Sequence, residues 1–177
     1  MSKRICVVGA GYWGKNHINS LHKLGALKGI VEPDKDLLKH YIDKFPDVIC
    51  FENINFALKE SFDGFIVATP SETHFKISKK IINAGKHILI EKPMALSISD
   101  AEELVYLANK NKIHVMVGHV LLFHPAIIKM KEMIKNGKIG NLQYIYSNRL
   151  NLGKIRTEEN VFWSLAPHDI SIFQYLT

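Results

Sequence analysis

A doubly wound α/β sheet is the fold this sequence predicts, and three observations point to it. Short apolar runs alternate with amphipathic stretches over residues 1–120, the pattern of strands joined by crossover helices. A glycine-rich turn, Gly9-Ala10-Gly11-Tyr12-Trp13-Gly14, follows the first apolar run without a gap. Glycine or proline closes element after element, at Gly25, Pro70, Gly85, Pro93 and Gly118, where a chain stops or turns.

Arg4–Val8 reads as the first strand, and a helix is expected from Tyr12 to about Leu24. This strand, turn and helix order is what a dinucleotide fingerprint requires. Gly9 permits the tight turn, Gly11 lets the backbone approach a pyrophosphate, and Gly14 lets the helix pack on the strand. Exposed amides at the helix start then hold phosphates. Tyr12 and Trp13, inside the turn, count with these cofactor contacts. The expected architecture is therefore Rossmann-type.

Leu27–Val31 supplies the second strand and ends at Glu32, which lies 18 positions beyond Gly14. A ribose-binding carboxylate is expected about 20 positions on, and such a group favours NAD over NADP. The first arginine beyond it is Arg149, so no guanidinium is at hand for a 2′-phosphate, although Lys35 could serve. Asp34 is the expected N-cap of a helix over Lys35–Lys44. Val48–Phe51 is a short strand, and Asn53 caps the helix containing Phe56 and Leu58. Asp63–Thr69 is a buried strand running into Pro70, and Ser71 caps a helix through Ala84. Thr69 and Pro70 are expected to line the cofactor. His74 either donates to the cofactor or makes a structural hydrogen bond.

His87–Ile90 is a buried strand with Glu91-Lys92-Pro93 behind it. A lysine at the carboxyl end of such a strand lies where α/β sheets open their ligand crevice. There its ammonium can grip a hydroxyl or take part in proton transfer. Ser99 with Glu102 suggests a capping box for a helix through Asn111, and Ile113–Val117 is the next strand. An amphipathic helix over Ala126–Asn136, an alternating strand over Leu142–Asn151 and a helix over Asp169–Leu176 complete the chain.

Composition limits the function classes. With 47% hydrophobic and 23% charged residues, the chain can bury a core. The net charge of +6 comes from lysines scattered over helix faces, so nucleic-acid binding is not expected. No long apolar stretch suggests a membrane span, and a cytoplasmic location is expected. Cys6 and Cys50 fall in strands without framework spacing and are expected to be reduced. His119 and His124 lack a completing ligand cluster, so no metal is expected.

Gly9 to Gly14, then Ala68-Thr69-Pro70 with His74, Ala84-Gly85-Lys86-His87 and Glu91-Lys92-Pro93, in this order, resemble the Gfo/Idh/MocA oxidoreductases over essentially the whole chain. The resemblance implies an NAD-binding domain over 1–120. It also implies an α+β substrate-binding and oligomerisation domain, with a mostly antiparallel sheet, of which 121–177 is the beginning. Lys92 in the Glu-Lys-Pro motif is implied to bind and activate a sugar hydroxyl.

The later run, from His119 through Asn151, Arg156 and Phe162 to Ile170, resembles the bacterial oxidases of UDP-N-acetylglucosaminuronic acid. These oxidise the sugar C3 hydroxyl to a ketone for surface polysaccharides. Many family members carry an aspartate four residues before the histidine, where this chain has Ser164. Oxidising a secondary alcohol needs a base for the hydroxyl proton while hydride leaves for the nicotinamide. His168 suits the base, and Lys92 can stabilise developing alkoxide charge. The alternative for His168 is a residue at a helix start, capped by Asp169.

Arg149 and Arg156 either grip the substrate's diphosphate or uronate, or pair with Glu158 or Glu159. Asn148, Asn151 and Asn160 could orient sugar hydroxyls, and His119 joins the substrate contacts. A free sugar or inositol is the competing substrate class, and a non-catalytic NAD(H)-binding module the competing function. Because the predicted strand Leu142–Asn151 has no partner within the chain, the chain is expected to be shortened at its C-terminus. A homo-oligomer is expected of the longer form.

Overall fold

The structure, a computed structural model, describes residues 3–150 and 160–177. The chain divides into two compact units, Met1–Gly118 and His119–Thr177.

The first unit is a six-stranded, all-parallel sheet in the order β3-β2-β1-β4-β5-β6. Its strands are β1 (Ile5–Val8), β2 (Leu27–Val31), β3 (Ile49–Phe51), β4 (Gly64–Val67), β5 (His87–Ile90) and β6 (Val115–Val117). The helices between them are α1 (Gly14–Lys23), α2 (Lys35–Lys44), α3 (Ile54–Ala57), α4 (Ser71–Asn83) and α5 (Ile98–Asn111). The chain winds outward from β1 to β3, then crosses back to β4 beside β1 and winds the other way. That reversal leaves a crevice outside the carboxyl ends of β1 and β4.

The strands are apolar at nearly every position, Lys28 and His87 excepted, because the central ones are covered on both faces. Cys6, Val8, Phe65, Val67, Ile88 and Ile90 point into one core with Ile81 and Leu104 from the helices. Val7, Ile30 and Ile66, the alternate residues, point into the other with Ile18, Tyr41 and Phe45. Burying one such large side chain contributes about 1.5–3 kcal/mol. On β2, Gly29 leaves room for the Phe62 ring and the Cys6 sulfur, which a Cβ would meet at 2.9 Å. Both cysteines are free thiols, with burial pushing each upward in pKa, Cys6 far up with a smaller contribution from Cys50.

Caps explain most helix starts. Asp34 Oδ1 accepts from the amides of Asp36 and Leu37, each at 3.0 Å, and Asn53 accepts from Asn55. Two expected caps fall elsewhere. Ser97, not Ser99, caps α5 by accepting from the Asp100 amide at 3.1 Å, and Ser71 is the first helical residue after Pro70. α1 begins at Gly14 rather than Tyr12.

The second unit contains a 3-10 turn (Val120–Phe123), α6 (Pro125–Lys135) and α7 (Val161–Leu176). The expected strand over Leu142–Asn151 is not formed in its described part, residues 142–150, and no described residue of this unit is in a strand. An alternating pattern supplies a face, but a strand also needs a partner for its backbone groups. α7 starts eight residues earlier than expected. Asn160 caps it by accepting from the Trp163 amide at 3.0 Å, and Pro167 lies inside it. Among the described residues no helix is long and apolar enough to cross a membrane.

Candidate active site

At the carboxyl edge of the sheet the ladder continues one residue past each of five strands. Glu32 N donates to Phe51 O at 2.9 Å, Gly9 N to Val31 O at 2.9 Å and Ala68 N to Val8 O at 2.8 Å. Glu91 N donates to Val67 O at 2.9 Å and Gly118 N to Ile90 O at 2.8 Å. Glu32, Gly9, Ala68, Glu91 and Gly118 thus form a row in sheet order, and the candidate cofactor residues of the first unit stand on or beside it.

The three glycines of the turn differ in what surrounds them. Gly9 has φ 88°, and a Cβ there would lie 2.8 Å from Thr69 Cγ2, so the turn presses on the loop after β4. A Cβ on Gly14 would collide with the Gly9 carbonyl, which is the close helix approach expected of it. A Cβ on Gly11 would meet nothing within 4 Å. Space therefore opens at Gly11, beside a helix N-terminus that has no side-chain cap. Uncapped amides facing open space fit a pyrophosphate. Tyr12 is 78% exposed and meets Trp13 edge-on at 6.2 Å.

Glu32 is only 8% exposed. Its Oε2 accepts from Ala10 N at 2.7 Å and its Oε1 from Asp34 N at 3.1 Å. Tyr41 Oη donates to the Ala10 carbonyl at 3.2 Å, so both ends of the Ala10 peptide region are held. Burial, with Glu32's charge adding to it, raises the Tyr41 phenol. Each Glu32 oxygen keeps a second lone pair for a ribose hydroxyl. Lys35, the cation that could have met a 2′-phosphate, lies 3.9 Å from Glu52.

His74 requires a correction as a cofactor contact. It is 1% exposed, with Nδ1 2.7 Å from the Pro93 carbonyl and Nε2 2.8 Å from the Thr69 carbonyl. Both ring nitrogens are thus within hydrogen-bond distance of backbone carbonyls, and the ring joins the loops after β4 and β5 with neither nitrogen turned to a nucleotide. The Thr73 hydroxyl lies 2.7 Å from both Thr69 Oγ1 and the Pro70 carbonyl.

Glu91 and Lys92 end β5. The Glu91 carboxyl Oε1 lies 2.7 Å from His17 Nε2 on α1, and Oε2 accepts weakly from Lys92 N at 3.3 Å. Burial pushes this carboxyl up, yet the hydrogen bond and charge of His17, with the Lys92 amide and the charge of His74, hold it below the usual carboxylate range. His17 was not singled out from sequence. Its signal was a histidine three residues past Gly14, one helical turn into the strand-facing helix.

In the second unit, His168 is half-buried in α7 and its carbonyl accepts from Ser171 Oγ at 2.8 Å. It stands inside the helix, not at a start capped by Asp169. Asp169 takes Arg149 through Nε at 3.0 Å and Nη2 at 3.0 Å, and Ser147 Oγ at 2.9 Å. The Arg149 hydrogen bond holds Asp169 below the usual range against the effect of burial, helped by Ser147 and the charges of Arg149 and His168. Arg149 thus commits Nε and Nη2 to Asp169 inside the second unit, rather than standing as a free anion grip. Glu158 and Glu159, the other partners expected for it, lie outside the described residues. Asn160 is likewise a helix cap. His119, half-buried, precedes the 3-10 turn. Asn151 and Arg156 lie outside the described residues, and no group of three metal-ligating side chains occurs among those that are described.

Comparison with known proteins agrees with this geometry. The Gfo/Idh/MocA oxidoreductase family, described as an NAD-binding Rossmann fold, matches residues 3–119. The UDP-N-acetylglucosamine 3-dehydrogenase of Acidithiobacillus ferrooxidans is 27% identical over 98% of this chain and 54% of its own length. The inositol 2-dehydrogenase of Corynebacterium glutamicum is 26% identical over 99% of this chain and 54% of its own. The chain thus spans about half the length of these relatives. The structure of the WlbA dehydrogenase from Chromobacterium violaceum, in complex with NADH and UDP-GlcNAcA, superposes with a TM-score of 0.72 at 27% identity, covering 78% of this chain and 41% of that one. The glycine turn, the parallel sheet order and the match across both make this chain a member of the Gfo/Idh/MocA family of NAD-binding oxidoreductases.

Proposed function

We propose that the protein takes part in NAD-dependent oxidation of the C3 hydroxyl of a UDP-linked N-acetylglucosaminuronic acid to the 3-keto sugar. The observation that carries the reading is the open cradle at Gly11 on the same sheet edge as Lys92, whose two neighbours are each held by a histidine. NAD supplies the hydride acceptor. Gly11 and the first amides of α1 hold its pyrophosphate, and Glu32 receives a ribose hydroxyl beside the Ala10 amide. Lys92 donates to the substrate oxygen and steadies its negative charge as the proton leaves. His168 is the base that takes that proton.

The substrate class rests on relatives that act on, or are bound to, UDP-linked amino sugars. The inositol dehydrogenases, nearly as similar, support a second reading in which a free polyol is oxidised. NADH formation with UDP-N-acetylglucosaminuronic acid and with inositol, side by side, separates the two. Titration of the chain with NADH comes first. Turnover of the UDP-sugar, lost in Lys92→Ala and His168→Ala while NADH affinity stays within about twofold, supports the proposal. Turnover of inositol alone replaces it with the second reading, and NADH binding without turnover of either substrate reduces the chain to a binding module.

A further inference from the structure

The contact between His17 and Glu91 has no role in the steps above. Their side chains are 23% and 14% exposed and meet at 2.7 Å. An ionised carboxylate can only accept, so His17 Nε2 is the donor. On the other side of the carboxylate stands Gly118, where a Cβ would come within 3.0 Å of Glu91 Oε2. The carboxylate is held by a helix residue on one side and fits against bare backbone on the other. Lys92 follows it directly, and Pro93, the next residue, is held through its carbonyl by His74 at 2.7 Å. The lysine's backbone therefore runs between two anchored neighbours. One of those anchors stands on the helix whose first amides border the open cradle.

We infer that His17 is a positioning residue for Lys92, acting through Glu91 and tying the glycine-turn helix to the loop that carries the lysine. The inference rests on reading this edge as the NAD and hydroxyl site, and it gives His17 no contact with either ligand. Because the cradle and His17 share α1, filling the cradle and placing Lys92 are linked, and each must favour the other.

The test uses the full chain with its lysines reductively methylated with a carbon-13 label, the Lys92 resonance being assigned with Lys92→Arg. The parent, His17→Leu, His17→Gln and Gly118→Ala are compared without and with NADH, each after its thermal unfolding shows a folded protein. His17→Leu is expected to move the Lys92 resonance in the free protein and weaken NADH binding severalfold. His17→Gln, whose amide nitrogen donates from nearly the same place, is expected to restore both. Gly118→Ala displaces the carboxylate with His17 intact and is expected to move the Lys92 resonance as well.

A Lys92 resonance unmoved by His17→Leu overturns the inference. So does a displacement that His17→Gln fails to reverse, since packing alone then accounts for His17. A parent that gives no response to NADH overturns the cofactor reading instead, and the resonance positions in the free proteins still test the positioning role.

Discussion

The two units both carry helices with apolar residues to bury, more evenly spread around α7 than around the first unit's helices, and bury them very differently. In the first, α1, α2, α4 and α5 lie against a sheet, and residues such as Ile18, Leu38, Ile81 and Leu104 are buried. In the second, Leu176 is the one buried large hydrophobic among the described residues, while Phe123 is 64% exposed and Tyr144 77%. Met130, Met133, Ile134, Ile139, Tyr144 and Leu176 border an apolar cavity of about 430 Å³. An amphipathic helix states which face wants burial, but a sheet or another helix must supply the surface. The first unit has that surface within its own chain. Its precision at the carboxyl edge follows, because the loops after β1, β2 and β4 start from strands buried on both faces.

The sharpest test of this contrast truncates one phenylalanine in each unit. Phe65→Ala, at 2% exposure and edge-on to Phe62 at 5.6 Å, should cost about 3–5 kcal/mol. Phe123→Ala should stay within about 0.5 kcal/mol, measured by denaturant unfolding. Equal losses would break the comparison.

The two tryptophans, Trp13 and Trp163, fall one in each unit. With Trp13→Phe and Trp163→Phe as single-reporter variants, Trp163 fluorescence should change at lower denaturant than Trp13 fluorescence, since local stability follows buried apolar contact. Coincident transitions would show one cooperative body.

Acid offers a test in which the units behave alike. Glu91 in the first and Asp169 in the second are both held below the ordinary carboxylate range. A depressed pKa contributes stability that is complete above the unfolded value of about 4 and is lost as pH falls through the folded one. Both reporters should therefore lose stability on acidification below about pH 4, and Glu91→Gln should flatten that loss for Trp13 alone.

The smallest effect tests the first unit's own economy. Lys112 ends α5 with φ 55°, a conformation that costs a non-glycine residue strain. Lys112→Gly should raise stability by up to about 1 kcal/mol, read as a higher unfolding midpoint.

Much of the first unit was legible because its punctuation is local. Asp34 and Asn53 cap where their side chains say they should, and the glycine turn ends β1 at the residue expected. The spacing from Gly14 to Glu32 located the acidic residue at the end of β2, though not its grip on Ala10. What escaped depends on partners distant in sequence. His17 meets Glu91 across 74 positions, and Arg149 meets Asp169 across 20; neither separation leaves a periodic trace. The expected strand at Leu142 failed for a related reason, since alternation describes a face and is silent about pairing. His74 was visible as a choice between two roles, and only the nearness of the Pro93 carbonyl resolves it.

The two thiols give the sheet a chemical clock and its reference. Cys6 faces one core and Cys50 packs against the other, and both are poor nucleophiles while burial disfavours their thiolates. Cys6 is buried in the native protein and its alkylation must wait for an opening, whereas Cys50, partly exposed on the edge strand, reacts without one. The ratio of the two rates thus reports how often the core around Cys6 admits reagent.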